Sequence, residues 1–68
     1  MENKFKDILK DLRIEKGIGQ VYLAKSIGVS KGVISMWENG LREPTMSSLI
    51  FLADFFGVSI DFLVGRDN

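Results

Sequence analysis

The stretch QVYLAKSIGVSKGVISMWEN, residues 20–39, decides the fold. Leu23, Ala24 and Ile27 recur at helical spacing and turn one face of Gln20–Ile27 inward, and Ile34 and Trp37 do the same one segment later. Between the two segments lies Gly28, a residue that enters the left-handed region without steric cost and so can stop the first helix and turn the chain. Val29 and Ser30 complete a very short joint, and Ser30 is a good N-cap for the helix that follows. Two short helices joined by a sharp turn follow from this spacing.

The same punctuation extends outward. Gly17, Gly40, Gly57 and Gly65 each follow an apolar-periodic stretch, as helix C-caps do, so with Gly28 they predict five short helices. Phe5, Ile8, Leu9 and Leu12 form one stripe on a first helix ending near Lys16, and Gly19 is a tolerable N-cap for the second. Thr45 caps a fourth helix carrying Leu49, Leu52, Ala53 and Phe56, and Ser59 caps a final turn over Ile60–Val64. No segment alternates with a period of two between hairpin turns, and no repeat or low-complexity tract is present. The expected fold class is all-α, a single domain over residues 1–68.

Composition removes several functions. The 68 residues contain no Cys and no His, so disulfide frameworks, zinc fingers and the usual nucleophile–base pairs cannot be built. No metal site and no cofactor is expected. The longest apolar run, Leu49 to Ala53, is far short of the roughly 20 residues that span a bilayer. The charged opening MENKFKDILK is not a secretory signal. The expectation is a soluble cytoplasmic protein with no membrane contact and no evident small-molecule ligand. Nine basic and nine acidic side chains balance, but residues 1–44 hold eight of the cations and six of the acids, which leaves the front mildly basic.

With LRIEKGIGQ before it and WENGLREPT and LADFFGVSIDFLVGR after it, the stretch at 20–39 resembles the Cro-repressor and lambda-repressor-like helix-turn-helix family, also called XRE. The resemblance runs from about Ile8 to Arg66 and implies a five-helix fold and sequence-specific DNA binding in bacterial or phage transcription control. In such proteins the third helix enters the major groove and the second crosses the phosphate backbone.

With Ile34 and Trp37 buried, helical spacing exposes Lys31, Gly32, Ser35 and Met36 toward base edges. Lys31 can donate to guanine or phosphate, and Ser35 can donate or accept. Gly32 and Met36 stand where relatives often carry polar readers, so thymine-methyl contact, water bridges or close backbone approach must compensate. Ser30 is read both as cap and as DNA contact. The resemblance further implies phosphate contacts from Gln20 and Asn39, with Lys25 and Arg42 adding charge, and a salt bridge between Arg13 and Glu38. Relatives usually carry Thr at the Gly19 position and polar residues at Val21 and Tyr22. This chain departs there, although the Tyr22 hydroxyl can substitute.

Phe51 and Phe55 lie four apart on a face of the fourth helix other than that of Leu49, Leu52 and Phe56. They read as an exposed patch for a two-fold dimer, with Leu41, Val58 or Val64 beside them. The alternative is that the last helix and tail cover them. The leading reading is a homodimeric repressor occupying a palindromic operator in double-stranded DNA. The alternative is an antitoxin-like protein-interaction module with DNA binding secondary or lost. An enzyme would need Asp7, Asp11 and Lys10 to converge, yet their spacing only decorates a helix surface.

Overall fold

A computed structural model describes residues 4–66. Five helices follow in order: α1 Phe5–Lys16, α2 Gln20–Ile27, α3 Lys31–Glu38, α4 Met46–Phe56 and α5 Ile60–Leu63. The fold is all-α, and among the described residues there is no strand. Local chemistry sets the boundaries. The side chains of Ser30, Thr45 and Ser59 accept hydrogen bonds from the backbone N–H groups of Val33, Ser48 and Phe62 at 3.2, 3.1 and 3.0 Å. Each cap satisfies a donor that the helix start leaves without an intrahelical partner, a contribution of about 1 kcal/mol.

At the other ends the outcome differs slightly from expectation. Gly17, Gly28 and Gly57 are C-caps in the left-handed region, whereas α3 is capped by Asn39 and α5 by Val64, with Gly40 and Gly65 one residue later. The last helix therefore stops at Leu63, one residue earlier than its periodicity suggests.

One core holds the helices. Phe5 and Leu9 of α1, Leu23, Ala24 and Ile27 of α2, Ile34 and Trp37 of α3, Leu52 and Ala53 of α4 and Leu63 of α5 are buried together. Trp37 meets Phe5 edge to face with ring centroids 6.1 Å apart. Ala24 is small where α2 and α3 pack, and Gly28, at φ 78°, makes the turn between them.

Gly65 illustrates how the chain end is fitted to its beginning. Its φ is 80°, and a Cβ placed there would lie 2.8 Å from the Lys4 Cβ. Gly28 has a similar φ but no atom within 4 Å of such a Cβ. Gly28→Ala is expected to cost only the left-handed penalty of roughly 1–2 kcal/mol. Gly65→Ala adds a steric clash and is expected to cost more, as urea denaturation of the two variants will show.

Candidate nucleic-acid interface

The front of the molecule is α3. Its buried side, Ile34 at 0% exposure and Trp37 at 2%, anchors it to the core, so the opposite side is presented outward. Lys31 and Gly32 are exposed and Ser35 and Met36 half-buried, which is the face expected from spacing. Ser30 is exposed, with its Oγ committed to the cap; its O–H remains free to donate. Lys25 and Arg42 are also exposed, and among the described residues neither they nor Lys31 form an ion pair.

Behind α3 is a partly buried ion pair. Arg13 Nε donates to Glu38 Oε2 at 2.7 Å and Arg13 Nη2 to Glu38 Oε1 at 2.9 Å, a two-pronged match of fork to carboxylate. The two side chains are 12% and 4% exposed. Arg13 Nη1 donates to the Ile18 carbonyl at 3.0 Å, which ties the α1–α2 loop into the same cluster. Burial alone pushes the Glu38 carboxyl up. The hydrogen bonds from Arg13 and Gln20 and the positive charges of Arg13 and Lys10 reverse this and hold it below its ordinary value of 4.5. The hydrogen bond to Glu38 raises the Arg13 guanidinium further above its ordinary range, against the opposing effect of burial. The expected bridge between α1 and α3 is therefore present, and it ties the C-terminal end of α3 to α1.

Two of the expected phosphate ligands have other duties. Gln20 Nε2 donates to Glu38 Oε1 at 3.1 Å, so this side chain braces α2 against α3. Asn39 Nδ2 donates to the Ser35 carbonyl at 2.9 Å and lies 3.4 Å from the Ser35 hydroxyl. It closes the last turn of α3. Each amide carries two N–H groups, so Gln20 keeps one for an outside acceptor, whereas Asn39 spends both on the carbonyl and hydroxyl of Ser35. The link from Gln20 to Glu38 joins residues 18 apart in sequence, and no local pattern announced it.

The aromatic patch requires correction. Phe51 is 55% exposed and Leu41 77% exposed, but Phe55 is half-buried against the core. Its ring meets Phe56 edge to face at 5.0 Å, and the Lys16 ammonium sits 5.3 Å from its centroid. Val58 also packs on the core, and Val64 is half-buried as the cap of α5. The α5 turn does not roof the patch completely, because Phe51 stays open. Met46 at 67%, Ile50 at 44% and Phe62 at 39% exposure add apolar surface that the sequence reading missed. Met46 and Ile50 lie one turn apart on α4, and the unbroken apolar run Leu49–Ala53 gives no period that would single out their face.

Among the described residues no helix is long and apolar enough to cross a membrane, and no three acidic side chains gather as a metal site.

The profile of the helix-turn-helix family matches residues 9–63. The chain belongs to that family, in its Cro- and lambda-repressor-like branch. This helix-turn-helix protein is 41% identical, over 96% of its own length, to the HTH-type transcriptional activator BcrR of Enterococcus faecalis. It is 37% identical, over 88% of its length, to the cryptic phage CTXphi transcriptional repressor RstR of Vibrio cholerae. It spans 32% of the first relative and 54% of the second. Among solved structures, the P22 c2 repressor in complex with a synthetic operator superposes with a TM-score of 0.87 at 32% identity, covering 93% of this chain and 96% of that one. A transcriptional regulator from Listeria innocua gives a TM-score of 0.92 at 29% identity, covering 100% of this chain and 64% of the other.

Proposed function

We propose that this helix-turn-helix protein is a sequence-specific DNA-binding transcriptional regulator of the cytoplasm. It lays α3 in the major groove of an operator and represses by occupancy, with no catalytic step and no cofactor. The observation that carries this reading is the free outer face of a helix anchored from behind. Lys31, Gly32 and Ser35 face outward while Ile34, Trp37 and the Arg13–Glu38 pair hold the rod rigid. The likeness to an operator-bound repressor over nearly its full length supports the docking geometry. Lys25, Arg42 and Gln20 supply sequence-independent contacts to phosphates, and Lys31 and Ser35 read base edges.

Selection from a random pool, followed by salt titration on the recovered duplex, tests this. Phosphate contacts predict a linear fall of log affinity with log salt, and Lys31→Ala is expected to cost about 1–3 kcal/mol at one base position and to relax preference there. An equal loss on every sequence would reassign Lys31 to the backbone. If no duplex binds even at low salt, the protein-interaction module is the better description.

The protein acts as a homodimer on a palindromic site in the same proposal. Ile50, Phe51 and Leu41 are the exposed apolar side chains that support it, with Met46 nearby on α4. Ile50→Ser combined with Phe51→Ser is expected to convert the sedimenting species from dimer to monomer without loss of helix content. Phe55→Ser is a poor test, because that ring belongs partly to the core. An unchanged mass for the double variant would move the interface elsewhere.

A further inference from the structure

Sulfur in this chain is confined to methionine: the sequence holds three Met and no Cys. No thiol is present to react first with a mild two-electron oxidant, so the thioethers take that role and their exposure sets the order of attack. Trp37 is shut in the core. Met36 is half-buried on α3. Met46 is 67% exposed, and among the described residues only Leu41 is a more exposed large apolar side chain.

The position of Met46 gives its oxidation a consequence. It opens α4, and Ile50 lies one turn along on the same side, so its thioether is part of the apolar surface on which the homodimer reading rests. A change confined to this side chain leaves the helix standing. The Thr45 hydroxyl, which accepts from the Ser48 N–H at 3.1 Å, starts α4, and the residues that bury it, Leu52 and Ala53, lie on later turns.

We propose that Met46 is a reversible oxidation site at which a hydroperoxide switches self-association off. This inference rests on the homodimer reading above and adds the chemistry that regulates it. A lone pair of the thioether sulfur attacks a peroxide oxygen, the S–O bond forms as the O–O bond breaks, and the departing hydroxide or alkoxide takes up a proton to leave as water or alcohol. Sulfur loses two electrons and the peroxide gains them. The product sulfoxide carries a polar oxygen, which is unfavourable to bury against Ile50 without a hydrogen-bond donor, so the oxidised face stays in water. Pairing covers the sulfur, so the free chain is the form that reacts, and once modified it is withheld from pairing. Reduction of the sulfoxide returns it.

Hydrogen peroxide added in increasing amounts to the full chain is the probe. Peptide mass spectrometry is expected to find one added oxygen on Met46 before any on Met36. Sedimentation is expected to show the apparent dimer dissociation constant raised about ten-fold or more, the effect of withholding one buried methionine side chain. Helix content by circular dichroism should not change, and a methionine sulfoxide reductase with its thiol reductant should restore the dimer. Met46→Leu keeps the apolar bulk and has no sulfur to oxidise at this position; compared with itself before and after peroxide, its self-association should stay the same. Met36→Leu, treated in the same way, should still lose it. The proposal is overturned if Met36 reacts first, if chains oxidised at Met46 associate as unmodified chains do, or if peroxide affects Met46→Leu as much as the parent. A parent protein that sediments as a monomer before any oxidant is added sinks the homodimer reading itself and the switch with it, a result distinguishable from the others.

Discussion

Glu38→Ala is expected to lower the free energy of unfolding by about 3–5 kcal/mol, because it strands the Arg13 guanidinium in a site where its side chain is only 12% exposed. The carboxylate receives three hydrogen bonds, two from Arg13 and one from Gln20. Its removal leaves the inner ends of α1, α2 and α3 without their common acceptor. At roughly 0.05–0.15 kcal/mol per residue, a domain of this size has about 3–10 kcal/mol in all, so the loss removes a large share of it. Urea denaturation followed by circular dichroism should show a midpoint far below that of the parent protein. A loss below about 1 kcal/mol would mean that the pair is hydrated in solution and behaves as a surface bridge.

The same group gives a pH signature. The folded carboxyl titrates below its unfolded value, so its contribution is fully present above the ordinary 4.5 and is lost as pH falls through the lower, folded value. Glu38→Gln keeps the shape but cannot titrate, so its urea midpoint should fall less steeply than that of the parent protein over this acid range.

Much of the architecture was legible because helix ends are local events. Ser30, Thr45 and Ser59 cap within three residues, and the glycines stop helices through their own φ, so the bounds of α2 and α3 could be read from sequence alone. The outward set on α3 was legible for a related reason: Ile34 and Trp37 fix the rotation of the rod. The α4 surface was not. Leu49 through Ala53 are all apolar, so no period chooses the inward face, and which aromatic is covered depends on what packs beside it. Lys16, at the far end of α1, comes to lie over Phe55 and helps remove it from the exposed set. The link from Gln20 to Glu38 was hidden in the same way, since two helices must cross before the groups meet. The family resemblance supplied the Arg13–Glu38 pair, but it also assigned Gln20 to phosphate when its side chain here first serves the fold.

Ile34→Ala tests the other half of the mechanism, the anchoring of α3 from beneath. Ile34 is completely buried among residues of the core shared by all five helices. Removing three carbons from such a site costs the lost transfer energy plus the cavity left behind, about 2–5 kcal/mol. The variant should therefore melt well below the parent while its remaining folded fraction keeps Lys31, Gly32 and Ser35 in place. Operator DNA then gives a second readout, because a ligand that binds only the folded state at 100 times its Kd restores about 2.7 kcal/mol. The expected result is a low melting temperature for Ile34→Ala alone and a substantial recovery with the selected duplex, but not with a random one at moderate salt. Lys31→Ala should show the reverse pattern, with near-normal intrinsic stability and weak recovery, since its side chain is exposed and forms no ion pair among the described residues. If Ile34→Ala melts like the parent, α3 is not held as described. If the duplex rescues neither variant nor raises the melting temperature of the parent, the outer face of α3 does not grip DNA.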